Sequence, residues 1–415
     1  MAELTKFAQN LAVESGIGRL MDDLGRAIRQ DGQIMLGGGN PARIPEVQAC
    51  FQDRLIELTR DGQQLGRILG DYDPPQGNAA FIHAISQLLR DQFGWPIGPE
   101  HVALTHGSQS AFFALFNMFG GTCAHGRKKR ILFPLAPEYI GYCDMGLEPD
   151  IFTANRPQIE YGQGHFFKYH VDFETLPLDD SIGAICVSRP TNPTGNVLTD
   201  REVAQLSRLA AERDIPLVLD NAYGMPFPGV VFTDARPIYD DHVVLCMSLS
   251  KLGLPALRTG IVVARPEIIR MISHINAVVS LAPGGLGAAI VLDLVQSGQI
   301  LKLSQEVIKP YYLERQQFAL NCLQEVMQGL NYYVHQPEGA FFLWVWLPDL
   351  SITSLELYER LKKRGVIVVP GEYFFPGMEE PWPHKHQCLR INYAQPADKI
   401  EKGFQVIAQE IKACS

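Results

Sequence analysis

The feature that most constrains this chain is a series of short apolar runs with no polar alternation. Residues 131–133, 182–187, 216–219, 243–247 and 260–264 are apolar, glycine or proline throughout. A strand with one wet face alternates in polarity, whereas a strand buried on both faces does not. Helical patterns lie between these runs. Thr199-Asp-Arg-Glu202 is a capping box, with Val203, Leu206, Leu209 and Ala210 on one face behind it. Pro266 opens another helix at its first turn. Further helices are expected over 78–90 and 110–118, and further strands over 101–105 and 150–153. Short buried strands spaced by helices specify an α/β fold whose sheet is mostly parallel and covered on both sides.

In such sheets a ligand lies beyond the carboxyl ends of the strands. Residues able to do chemistry stand just there: Thr105-His-Gly-Ser-Gln109, Asn192, Asp220 and Lys251. Lys251 follows the run 243–247. In an apolar pocket its ammonium form is disfavoured, and the neutral amine can attack a carbonyl. A solvated loop lysine is the commoner case, so its company decides. Gly107, Ser108 and Gln109 precede an apolar helix, whose unbonded N–H groups and positive dipole end suit an anion, most often phosphate. An ordinary strand-to-helix turn reads equally well on those three residues alone. Gly37-Gly-Gly39 is not a phosphate loop, because no Gly-Lys-Ser/Thr follows and Pro41 breaks any immediate helix. It reads as backbone that must come close to something else.

A chain of 415 residues suggests two domains. From about residue 303 its character changes. A long helical stretch is followed by an aromatic strand at 341–347, a helix over 353–364 stopped by Gly365, a strand at 388–392 and a last helix. That pattern indicates a smaller α+β domain, completed by an N-terminal segment read as an arm plus one helix. The expected divisions are 1–70 for the arm and part of the small domain, 71–302 for the large domain and 303–415 for the small domain. A net charge of −9 offers no broad basic face for nucleic acid. The most apolar window, 277–295, is broken by Pro283, Gly284, Gly285 and Gly287, so no membrane span is expected. Eight cysteines without a C-x-x-C pair fit reduced thiols in a cytoplasmic protein. His384-Lys-His386-Gln-Cys388 completes no metal-ligand set, and no metal is expected.

One cofactor would use all the strand-end residues together. Pyridoxal 5'-phosphate needs a lysine for its aldehyde, a carboxylate for its ring nitrogen, donors to its phenolic oxygen, a phosphate cradle and a ring to stack on. Lys251 and Asp220 answer the first two needs, and Asn192 with Tyr223 the third. Gly107, Ser108 and Gln109, with Ser248 and Arg258, suit the phosphate dianion. Tyr139 can stack on the ring.

The chain resembles the fold-type I aminotransferases over nearly its whole length. Asn192-Pro-Thr-Gly195, Asp220-x-x-Tyr223 and Ser248-x-Ser-Lys251 with Arg258 stand in that family's order. The resemblance implies a large domain with a mostly parallel seven-stranded sheet flanked by helices, plus a smaller α+β domain. It implies a cofactor bound covalently to Lys251, with Lys251, Asp220 and Tyr223 catalytic, and amino acids and 2-oxo acids as substrates. Arg390 in Leu-Arg-Ile-Asn-Tyr393 resembles the arginine that grips the substrate α-carboxylate. Gly39 resembles a glycine that closes over the substrate, and Asn192 is expected to reach the substrate as well as the cofactor. Tyr72 resembles a tyrosine that reaches the phosphate from a neighbouring subunit, which implies a homodimer. The loop 370–375 resembles one beside the pocket. Stretches 104–113, 133–142, 246–255 and 381–388 resemble one particular member more closely still. They imply a donor and an acceptor with small apolar side chains, which need no second arginine. A C–S lyase or a synthase would use the same cofactor residues. A regulator built on an aminotransferase-like module would add a basic DNA-binding region, and none is visible. The roles of Glu138 and Arg189 are left open by the residues alone.

Overall fold

The run 243–247 forms the heart of the strand Val243–Ser248, which is buried at every position. In the computed structural model, which describes residues 3–11, 16–27 and 32–414, it belongs to one of two compact units. This second unit comprises Asn40–Met118 and Thr199–Tyr311. Here Leu217–Asp220 runs parallel to Val243–Ser248, which pairs antiparallel with Thr259–Val263, which pairs antiparallel with Val102–His106. Two reversals restore the direction, so Asp220, Ser248 and His106 all end their strands at the same edge. Cys246 pairs with Asp220, Ser248 with Gly260, and His106 with Thr259. The absence of alternation is accounted for, since Thr259–Val263 is also buried throughout.

The helices of this unit start and stop where side chains satisfy their ends. Asn78 accepts from the Phe81 N–H ahead of Ala79–Phe93, and Gly94 at φ 68° closes it. Thr199 and Glu202 form the expected capping box of Asp200–Glu212. One start differs from expectation. The helix expected from residue 110 runs Gly107–Phe119, directly off the strand, because Gly107 at φ 73° makes the whole turn in one residue.

The first unit comprises Met1–Gly39, Phe119–Leu198 and Tyr312–Ser415. One ladder places Lys128–Phe133 parallel to both Ile182–Ser188 and Phe152–Ala154, with Gly121–Thr122 antiparallel to it. A second sheet runs in the order Val369–Pro370, Cys388–Asn392, Phe342–Trp346, Tyr333–His335, Phe166–His170, Gln158–Tyr161. Ile34–Met35 pairs in parallel with Val366–Ile367. The N-terminal segment carries two helices, Lys6–Leu11 and Gly16–Ala27, where the sequence suggests one; the parts of that expectation at 1–2, 12–15 and 28–31 lie outside the described residues.

An aromatic core fills the second sheet of the first unit. Phe166–His170 buries every other side chain, and the inward ones are Phe167 and Tyr169. Trp344 Nε1 donates to the Tyr169 hydroxyl at 3.0 Å, and the Tyr169 N–H donates to His335 Nε2 at 3.1 Å. Trp382 stacks on His384 at 4.4 Å, with the Arg156 guanidinium 4.7 Å from the Trp382 ring. Trp346 meets His384 edge-on at 4.5 Å. Burial holds the imidazoles of His335 and His384 far below the usual range, at about 3 each. Among the described residues no group of His, Cys, Asp and Glu is placed to hold a metal, and His384 is part of an aromatic stack. No single helix among them is long and apolar enough to cross a membrane.

Candidate active site

The strand register of the second unit gathers the residues singled out for the phosphate. Gly260 lies beside Ser248 on one side and Thr105 on the other. A methyl group added at Gly260 would be 2.5 Å from the Gly107 carbonyl carbon and 2.7 Å from the Ser108 nitrogen. Only a glycine lets this strand pass under the start of the helix Gly107–Phe119. A methyl at Gly107 would lie 2.1 Å from Arg258 Nη2, so the guanidinium rests against that same helix start. Arg258 reaches it although only six residues separate it from Lys251. It does so from a left-handed backbone at φ 48°.

The hydroxyls join the cluster. Arg258 Nη1 donates to Ser250 Oγ at 3.3 Å, and the Ser250 N–H donates to Ser248 Oγ at 3.1 Å. Gly107, Ser108 and Gln109 form the first turn of the helix, where main-chain N–H groups have no partner within the helix. One guanidinium, two hydroxyls and a helix start around a pair of obligatory glycines fit a phosphate dianion in charge and donor type. The rest of this unit's set follows the same edge. Asp220 accepts from the Ala222 N–H at 2.9 Å, which fixes its carboxylate at the strand end. Lys251 Nζ lies 5.3 Å from the centroid of the Tyr223 ring, and Tyr223 is buried. Tyr72 stands apart from these, with 84% of its surface exposed.

The first unit holds the other predicted residues, fixed differently. Arg390 is buried on the strand Cys388–Asn392. Its Nη1 donates to Asn192 Oδ1 at 2.7 Å and its Nη2 to the Gly37 carbonyl at 2.5 Å. The guanidinium carbon lies 4.4 Å from the Phe342 ring and 5.2 Å from the Phe374 ring. Hydrogen bonds and ring contacts thus orient a planar fork of the kind that matches a carboxylate. Asn392 Nδ2 donates to the Gly38 carbonyl at 2.6 Å. These contacts with strand Cys388–Asn392 run through Gly37 and Gly38, immediately before Gly39. Tyr139 is half-buried and meets Tyr142 edge-on at 5.3 Å; a methyl at Gly141 would be 2.4 Å from the Tyr139 ring.

The turn after Asn192 is pinned from behind. Lys168 and Glu338 form an ion pair at 2.6 Å, with side chains only 17% and 14% exposed. Glu338 also accepts from the Val197 N–H at 3.2 Å, and its own N–H donates to the Gly195 carbonyl at 3.1 Å. Lys168, Glu338 and Phe342 are not singled out by the sequence, whereas Phe374 belongs to the loop 370–375 expected beside the pocket. Ser250 was visible as the second hydroxyl before Lys251, but Lys168 has no local signal, since its partner is 170 residues away.

Comparison with known proteins shows the family to which the chain belongs. The family model for aminotransferase class I and II matches residues 35–407. The chain is 51% identical over 406 residues to the valine–pyruvate aminotransferase of Escherichia coli, covering 98% of this chain and 97% of that protein. A putative amino-acid aminotransferase from Psychrobacter arcticum superposes with a TM-score of 0.97 at 44% identity, covering 100% of this chain and 99% of that one. Valine–pyruvate aminotransferase from Salmonella typhimurium superposes with a TM-score of 0.89 at 51% identity, covering 96% of this chain and 99% of that one. The family as a whole depends on pyridoxal phosphate. Fold, strand-end chemistry and end-to-end similarity converge: this chain belongs to the class I and II aminotransferases.

Proposed function

We propose that the protein transfers the amino group of L-valine to pyruvate, giving 3-methyl-2-oxobutanoate and L-alanine, with pyridoxal 5'-phosphate as cofactor. The observation that carries this reading is the full-length match to the E. coli valine–pyruvate aminotransferase. The geometry of the two residue sets supports the chemistry.

Gly107, Ser108, Gln109, Ser248 and Arg258 would hold the cofactor phosphate, and Lys251 Nζ would be its covalent anchor. When bound, the cofactor supplies a protonated pyridine ring that takes up the electron pair released at the substrate α-carbon. Asp220 keeps the proton on the ring nitrogen, as a carboxylate at that place favours the charged form. Tyr223 and Asn192 would serve as donors to the cofactor's phenolic oxygen. The amide oxygen of Asn192 is already taken by Arg390, which leaves its NH2 as the donating group. Tyr139 would offer the ring to stack on. Arg390 binds the α-carboxylate of the amino donor, and Gly39 closes over the substrate. Lys251, with its Nζ free as an amine, would be the base that lifts the substrate α-proton and later returns it. An arginine could not do this, because its guanidinium stays protonated. With pyruvate the same groups work in reverse.

The proposal includes a homodimer in which the exposed Tyr72 serves the partner's phosphate, and a cytoplasmic location consistent with free cysteines. The test is to supply purified protein with cofactor, valine and pyruvate and to measure alanine and 3-methyl-2-oxobutanoate. Equal yields of the two are expected. No alanine would overturn the reading, and release of ammonia or sulfide from a suitable donor would point to a lyase. Asp220→Asn should retain cofactor far better than activity; a fully active variant would remove Asp220 from its role.

A further inference from the structure

Glu138 is a fully buried acidic residue in the first unit, directly before Tyr139. Its carboxylate ties the start of the Tyr139 segment to the strand end at Ser188. The Ser188 N–H donates to Oε1 at 2.8 Å, the Ser188 hydroxyl donates to Oε2, and the Tyr139 N–H donates to Oε2 at 3.3 Å. The Glu138 N–H in turn donates to the Phe374 carbonyl at 2.8 Å. Each of these neighbours leads to a residue of the proposed site. Tyr139 is the proposed stacking ring. Ser188 begins the loop to Asn192, and its carbonyl accepts from Thr191 Oγ1 at 3.0 Å. Phe374 carries one of the rings against the Arg390 guanidinium.

We propose that Glu138 is a positioning residue whose carboxylate holds the ring-stacking side chain and the Asn192 loop in one register. It sets the orientation of cofactor-facing and carboxylate-facing groups together, and this rests on the transaminase reading above. The chemistry calls for a carboxylate. Both of its oxygens accept, whereas a glutamine must turn one NH2 toward groups that are themselves donors. Arg189, next to Ser188, has a separate task, since its Nε donates to the Leu198 carbonyl at 2.7 Å.

The experiment compares the wild type, Glu138→Gln, Ser188→Ala and the double variant as cofactor-loaded proteins. Three readouts are taken: the melting temperature, the visible circular dichroism of the bound cofactor, and the dissociation constant of 2-methylalanine. That amino acid has a carboxylate and an amine but no α-proton, so binding is read without turnover. Glu138→Gln should stay folded, keep cofactor absorbance, change the dichroic band and weaken 2-methylalanine by about tenfold. The double variant should be no worse than Glu138→Gln, because both changes break one shared contact. A Glu138→Gln protein with the wild-type dichroic band and wild-type 2-methylalanine binding overturns the inference, even if its melting temperature falls. If Glu138→Gln does not fold, Ser188→Ala alone decides by the same two readouts. A wild type that binds no cofactor would overturn the transaminase reading itself, and this inference with it.

Discussion

The two units hold their share of the chemistry in contrasting ways. In the second, Asp220, Ser248 and the Gly107 turn are placed by main-chain register, one strand end beside the next. In the first, Arg390 is placed by side-chain bonds to Asn192, 198 residues away, and to Gly37, 353 residues away. Register is shared among many backbone hydrogen bonds, so no single polar side chain controls it. A side-chain network depends on each member, and removing one leaves its partners buried and unsatisfied. The second unit should therefore lose chemistry without losing structure, and the first should lose both together.

The sharpest break in that comparison would come from Lys251→Ala. It should lower transamination at least about a thousandfold by removing both anchor and base, with little change in melting temperature. A large stability loss would contradict the register account. In the first unit, Lys168→Met leaves the Glu338 carboxylate with only the Val197 N–H in a mostly buried place. Chemical denaturation should show a loss of about 3 kcal/mol. Gly107→Ala comes next, putting a methyl against Arg258 and forcing φ 73° on an L-residue. Titration with pyridoxal phosphate should show binding weakened by about tenfold to a hundredfold, with strain near 1 kcal/mol. The smallest effect is acid sensitivity. His335 and His384 are held at about 3 when folded, against an ordinary 6.5. The unfolded chain binds these protons first, so their contribution is whole above pH 6.5 and shrinks as pH falls toward 3. At pH 5.5 the loss should be roughly 1–2 kcal/mol for each imidazole, and His384→Gln should remove its share of the slope.

The contrast also decides what the sequence made legible. Strand ends announce themselves locally, because an apolar run stops and a polar residue follows, as at Asp220 and Lys251. The capping box at Thr199 and Glu202 is equally local. The helix start at Gly107 is not legible locally, because a lone glycine before Ser-Gln reads as a turn. Gln158–Tyr161 and Phe166–His170 give no clear strand signal because their polar residues hide the apolar period, although one face of the latter is buried. Lys168 with Glu338, and Glu138 with Ser188, have no sequence signature. Each is a long-range pairing that only the folded chain brings about.

The aromatic core of the first unit has an optical consequence. Of the chain's four tryptophans, Trp344, Trp346 and Trp382 lie in that unit, while Trp95 stacks on Tyr239 in the second. Intrinsic emission is therefore weighted toward the half that carries Arg390. The absorbance of a cofactor anchored on Lys251 would report on its attachment point in the other half. Following both signals through one melt gives each unit its own colour, and the gap between the two curves measures how far the halves unfold as one.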